Sequence, residues 1–225
     1  MRTLELHRDL ALMLLADARL PTSGHTQSAG LEPALMGGLE ARDVEAYSRT
    51  RLQTVTLTDA ATAVVCRFRA LAGKRTEDVE TAWAARTPSA AVRDASRNVG
   101  RAYQRLALRL WPSSPVLVEL GTVRAPSRGR VLGLVAAAVG LPADGLARLV
   151  AYDDVQSVLA ASLKLLPGDP SDAAVALLKL APAIDAVVAA VERITEPQEI
   201  PAWSAPLIEA WAEAHVRAER RLFRA

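Results

Sequence analysis

Residues 89–111 constrain this chain more than any other stretch. Val92, Ala95, Val99, Tyr103, Leu106 and Leu110 fall within an arc of about 80° when residues are set 100° apart. Arg93, Arg97, Arg101, Arg105 and Arg109 occupy the opposite side. That period belongs to a two-faced helix; a strand, with its period of two, would scatter both sets. Thr87-Pro88 just before it supplies a cap followed by proline at the first helical position. One such helix has to bury its apolar face against others. The rest of the chain is suited to that: of 225 residues, 44 are Ala and 32 are Leu, both strong helix formers, and β-branched runs are scarce. An apolar content of 51% with a net charge of +2 excludes a disordered chain, and the helical bias excludes a β-barrel or sandwich.

The remaining elements follow from capping and breaking signals. Leu4 to Asp17 reads as a first amphipathic helix, broken by the polar loop 21–30 with its proline and two glycines. A short helix from Leu31 to Met36 ends at Gly37-Gly38. Asp43 caps a long helix to Leu71, and Thr76 caps a short one carrying Trp83. After Pro112, residues 112–127 form an internal break. Helices are expected over 128–139, 142–166 and from Ser171 after Asp169-Pro170, with Pro182 kinking or splitting the last of these. Glu196 to Pro206 reads as extended, and a final helix from Pro206 to about Arg220 stacks Leu207, Trp211, Ala214 and Ala218. The expectation is an all-α, helical-bundle-like single domain over 1–225, with about ten helices and no sheet.

Chemistry-bearing patterns are sparse. Ala72-Gly73-Lys74-Arg75-Thr76 looks like the end of a phosphate loop, but Phe68 and Arg75 stand where glycine and Ser or Thr are needed. His7, His25 and His215 are far apart and form no zinc-binding spacing. His7 and His215 read as surface or boundary residues, and His25 as either a hydrogen-bonded loop side chain or a contact residue. Cys66, the single cysteine, lies in an apolar helical run and reads as a buried, inert thiol. Asp153 and Asp154 diverge by about 100° on a helix and read as a solvated turn rather than an acid/base pair. The N-terminus lacks the unbroken apolar core of a signal peptide, and the apolar run Val131–Leu141 is too short to cross a bilayer, so a cytoplasmic protein is expected. Residues 1–130 carry net +6 and residues 131–225 net −4. The arginine row is open to three readings: a solvated face, a docking surface for an acidic partner, or a nucleic-acid contact. No recognised nucleic-acid module surrounds it.

Four segments carry a resemblance. Leu15-Ala16-Asp17-Ala18-Arg19-Leu20-Pro21 runs into Gly24, Ser28 and Gly30-Leu31-Glu32. Arg93-Asp94-Ala95-Ser96-Arg97-Asn98-Val99-Gly100 follows, then Asp154-Val155-Gln156 with Leu163–Pro167, and finally Glu219-Arg220-Arg221-Leu222-Phe223-Arg224-Ala225. In this order they resemble the UreF family of urease accessory proteins. Ser23, His25 and Ala225 depart from that family's glycine, aromatic and serine, and Gly168-Asp169-Pro170 stands in place of its Gly-Gln. The resemblance implies an all-α homodimer that is not an enzyme and carries no cofactor or metal ligands of its own. It further implies a scaffold between the UreD or UreH accessory protein and the nickel GTPase UreG, delivering nickel to apo-urease and regulating GTP hydrolysis. Partner contacts are expected at Gly24, His25, Ser28, Gly30, Glu32, Arg93, Arg97, Arg101, Arg221, Leu222 and Phe223. The polar loop is either a structural element or part of the surface offered to the GTPase or its metal.

Overall fold

The computed structural model describes residues 7–21, 27–218 and 222–223. Among them are ten α-helices and no strand. In chain order they are α1 (Arg8–Leu15), α2 (Leu31–Met36), α3 (Val44–Gln53), α4 (Val55–Leu71), α5 (Glu77–Ala85), α6 (Ala90–Leu110), α7 (Arg128–Val139), α8 (Ala143–Leu165), α9 (Pro170–Val191) and α10 (Pro206–Val216). Short 3-10 turns lie at Ala41–Asp43, Pro115–Gly121 and Pro197–Glu199.

The centre of the fold is α7. Every residue from Arg128 to Ala137 is buried, so this helix is enclosed all round. Its most extensive contact is with α4, and α6, α8 and the Pro115–Gly121 turn pack around it. Two glycines set how close α4 can come. A Cβ on Gly129 would lie 2.9 Å from the Asp59 carbonyl oxygen, and one on Gly133 would lie 2.6 Å from the Cys66 Cβ. The two backbones therefore touch where most helix pairs are held apart by side chains. Gly100 plays the same part on α6, where a Cβ would lie 2.9 Å from the Ser127 carbonyl carbon. Ser127 caps α7 by accepting from the Arg130 N–H, and Ser89 caps α6 by accepting from the Val92 N–H. The buried apolar side chains form one contiguous cluster.

The structure differs from the sequence expectation in several places. The cap of α6 is Ser89, so Pro88 precedes the helix rather than opening it, and Asp43 and Thr76 stand at N-cap positions without a side-chain cap bond, the Thr76 hydroxyl going to Glu119. The long helix expected from Asp43 to Leu71 is two helices, broken at Thr54 (φ −128°, ψ −93°). The run Thr54-Val55-Thr56 is β-branched, and the Thr54 hydroxyl takes the Thr50 carbonyl at 2.7 Å, competing with the helical ladder. Pro182, expected to kink or split its helix, sits within an unbroken α9. It lies on the exposed side, one turn beyond the exposed Leu178 whose carbonyl loses its donor, so water can satisfy that group. By length and composition α9 is also apolar enough to cross a membrane; it packs Leu180, Ile184, Val187, Val188 and Val191 against the body. The buried residues of α10 are Ile208 and His215; of the expected stripe Trp211 packs half-buried against the core beside Tyr47, while Leu207 is 60% exposed and Ala214 is exposed too. The first helix begins at Arg8, residues 1–6 lying outside the described residues, and α10 closes at Val216.

Gly133→Ala is expected to lower stability by about 1–3 kcal/mol through overpacking at the α4–α7 contact. Gly121→Ala, at a position with open space around it, is expected to stay within ~0.5 kcal/mol of the parent. Urea unfolding of the two variants compares them directly.

Candidate functional site

The polar segment ahead of α2 is shaped by its backbone. Ala29 (φ 50°) and Gly30 (φ 77°) are both left-handed, turning the chain into the helix. A Cβ on Gly30 would lie 2.8 Å from the Tyr47 hydroxyl, which donates to the Ala29 carbonyl at 2.8 Å. Glycine is therefore required there for both conformation and space. Ser28 is fully buried, and its hydroxyl accepts from the Glu32 N–H.

Glu32 joins the two ends of the fold. Its carboxylate is buried and accepts the Leu222 N–H at 2.6 Å and the Phe223 N–H at 2.9 Å; His215 Nε2 lies 3.1 Å away. Glu32 thus accepts from N–H groups of the C-terminal segment rather than capping those of its own helix. His215, expected at the surface, is buried, because α10 turns it inward onto Glu32. Phe223 is buried in the chain's own core with the Lys164 ammonium over its ring, while Leu222 is 66% exposed. Gly24, His25 and Arg221 lie outside the described residues.

Beside this junction is a cavity of about 440 Å³ between the N-terminal half of α6, α8 and α10. Its apolar wall includes Val92, Ala95, Val99 and Ile208, and its floor is charged. Asp154 receives Arg51 Nη2 at 2.6 Å, Arg51 Nε at 2.9 Å and the Thr56 hydroxyl at 2.8 Å. Burial opposes its ionisation, but Arg51 and Thr56 outweigh burial and hold the carboxyl below the usual range. Asp153 receives Arg128 Nη2 at 2.6 Å. Burial raises its pKa, with Arg128 opposing only in part. Asp59 accepts the Trp83 indole N–H at 2.9 Å, and burial raises its pKa too, against Arg128 and Trp83. Arg128 Nε is buried with no acceptor among the described residues. Asp153 and Asp154 are thus no solvated turn. Their divergence on α8 sends each carboxylate to a different arginine.

These groups are arranged to hold elements together. Asp154 and Asp153 are each matched by a guanidinium, and Asp59 by the Trp83 indole N–H. Cys66 is fully buried, and burial pushes its thiol well above its ordinary value. Among the described residues, no three His, Cys, Asp or Glu side chains are grouped to hold a metal ion.

The arginine row divides. The buried face of α6 is Gly100, Ala102, Tyr103 and Ala107, displaced toward Arg93 from the apolar arc expected. A spacing of four advances about 40° per step around a helix, so the row winds from one flank to the other. Arg93 donates to the Thr87 and Pro88 carbonyls at 2.6 and 2.7 Å. Arg97 stacks over Trp83 at 5.5 Å and lies 3.8 Å from Glu80. Arg101 is exposed.

Sequence reasoning missed Arg51, Tyr47, Asp59 and Arg128. One signal was available: Val44, Tyr47, Ser48, Arg51 and Leu52 share one helical face, so the arginine stands at a core position.

The body is all-α, its buried Asp153 and Asp154 are paired within the fold, and its two signature segments meet at Glu32. The chain belongs to the UreF family, whose model matches residues 39–181. It is 38% identical over 214 residues to the urease accessory protein UreF of Mycobacterium sp. (strain JLS), covering 94% of this chain and 96% of that one. The same-named proteins of Mycolicibacterium vanbaalenii and Mycobacterium marinum are 34% and 35% identical over the same coverage. The chain is thus a urease accessory protein by family.

Asp154→Asn is expected to cost about 3–5 kcal/mol at pH 7, because Arg51 is left buried without its counter-charge. The stabilisation from a carboxyl whose pKa is depressed on folding is complete above the unfolded value of about 4 and disappears as pH falls through the lower folded value. The gap between parent and variant is therefore expected to close in acid, as measured by denaturant unfolding from pH 7 to pH 3.

Proposed function

We propose that this chain is a non-enzymatic scaffold, acting as one domain and as a homodimer. It bridges a UreD- or UreH-type accessory protein and a UreG-type nickel GTPase, regulates GTP hydrolysis by the latter, and so serves nickel insertion into apo-urease. Family membership supports the urease context. The observation that carries the scaffold reading is the Glu32 junction, which brings Ser28, Gly30 and Glu32 beside Leu222 and Phe223. Two segments 190 residues apart are thereby held together as one element, with Leu222 at the surface. Phe223 anchors that element and Leu222 is offered outward. In this reading the loop with Gly24 and His25 faces the GTPase, and Arg93, Arg97 and Arg101 extend the partner surface.

Leu222→Glu tests the surface without disturbing its anchor. The substitution is at an exposed side chain and is expected to stay within ~0.5 kcal/mol of the parent in stability. Co-purification with co-expressed UreD/UreH-type and UreG-type proteins is expected to fall at least tenfold, with urease activation in cells. Unchanged retention of both proteins would remove the tail from the partner surface. The reading also places the nickel ligands on the partners. Calorimetry of the isolated protein at neutral pH is therefore expected to show no submicromolar nickel binding, and tight binding lost in His25→Ala would make the loop a ligand site.

A further inference from the structure

Most arginines of the described chain are neutralised locally. Arg51, Arg69, Arg128, Arg130 and Arg148 pair with carboxylates, and Arg67 and Arg86 donate to backbone carbonyls. Four stand apart. Arg105, Arg109 and Arg124 make no hydrogen bond or ion pair among the described residues, and Arg101 meets only the Asn98 side-chain carbonyl. All four are exposed. They also share one region. Arg101, Arg105 and Arg109 follow one another on the C-terminal half of α6, and Gln104 between them donates to the Leu120 and Val123 carbonyls, which brings the Arg124 segment alongside.

Nothing nearby in sequence offsets this charge. Between residues 95 and 127 there is one carboxylate, Glu119, against five arginines. Glu119 is turned inward, to Thr76 and to Arg130 at 3.0 Å. Like charges four apart on a helix repel. Arg101 to Arg109 spans about 12 Å along the axis, close to the screening length of about 8–10 Å at physiological salt, so the three act on a partner as one patch.

We infer that Arg101, Arg105, Arg109 and Arg124 form a docking surface for an acidic protein face. Charge complementarity names the chemistry of the occupant. The turn Pro115–Gly121, which packs on α6, exposes Val118 by 68% beside these charges. An apolar side chain amid polar neighbours is the composition of a protein interface. No aromatic ring is exposed there for bases to stack on, as single-stranded nucleic acid would use. The inference deepens the scaffold reading by giving one assembly partner an acidic contact face, and it moves the centre of the arginine surface away from Arg93 and Arg97.

The test uses the full chain with Arg101→Glu/Arg105→Glu/Arg109→Glu, the matching triple Gln variant, and Arg42→Glu/Arg193→Glu as a charge-reversal control elsewhere. Circular dichroism establishes folding; if the Glu triple unfolds, the Gln triple is read in its place. Two readouts are taken: co-purification with the co-expressed accessory proteins, and fluorescence anisotropy of a 20-residue polyglutamate peptide and of a 20-base-pair DNA duplex across a salt series. Expected is at least a tenfold loss of peptide affinity for the α6 variant against less than twofold for the control, together with loss of an accessory protein retained by the parent. Equal losses in variant and control, tighter binding of the duplex than of the peptide at the same salt, or a parent-retained accessory protein still held by the α6 variant would each overturn the inference. If the parent itself retains no accessory protein while peptide binding still depends on α6, the scaffold reading fails and the acidic-docking surface stands.

Discussion

The contact between α4 and α7 is the constraint on which the other elements depend. Gly129 and Gly133 present bare backbone to Asp59, Thr62, Ala63 and Cys66, so the two helices meet at a distance that no larger residue at those positions permits. Close approach multiplies the dispersion contacts each atom makes. It also fixes which residues of α4 face α8 and which face α5 and α9. With aromatic residues only 4% of the chain, bulk cannot fill the core, and small residues have to bring backbones together instead. The high alanine content serves the same end.

From that contact the buried charges follow. The break at Thr54 lets α3 leave the line of α4, and it puts Arg51 on one side of the break and Thr56 on the other, both reaching Asp154 on α8. An unbroken helix would carry Arg51 and Thr56 about 140° apart around its axis, where one carboxylate could not receive both. Arg128, at the first turn of α7, takes Asp153 one residue earlier. Three helices are thus keyed to α8 through adjacent aspartates. Buried ion pairs of this kind add little net stability over apolar packing, but breaking one is costly. Their effect is to exclude alternative registers among helices whose apolar faces, mostly Ala, Leu and Val, would otherwise slide.

The helical class and the bounds of α2 and α7 were legible, because they rest on local signals: periodicity and glycine after a helix. What was not legible depends on partners distant in the chain. The phase of α10 could not be told from Leu207, Trp211, Ala214 and Ala218 alone, since His215 is drawn inward by Glu32, a residue 183 positions away. The arginine row looked uniform because Trp83 and Glu80, which take up Arg97, belong to another helix. Asp153 and Asp154 looked solvated for the same reason. Among the candidate contact residues, the motif that begins at Leu15 and the tail motif at Leu222-Phe223 were each visible; that one carboxylate ties them together was not.

The Glu32 junction also has an order in time. Its donors lie 190 and 191 residues beyond it, so during synthesis Glu32 emerges long before Leu222 and Phe223 exist. At about 5–20 residues per second that interval is about 10–40 s. Throughout it, the α2 segment has its serine and tyrosine contacts but lacks the backbone donors that complete its carboxylate. The element that joins both signature motifs is therefore assembled late, after every described helix has been made, and a chain interrupted before residue 222 can hold the helical body while lacking the junction.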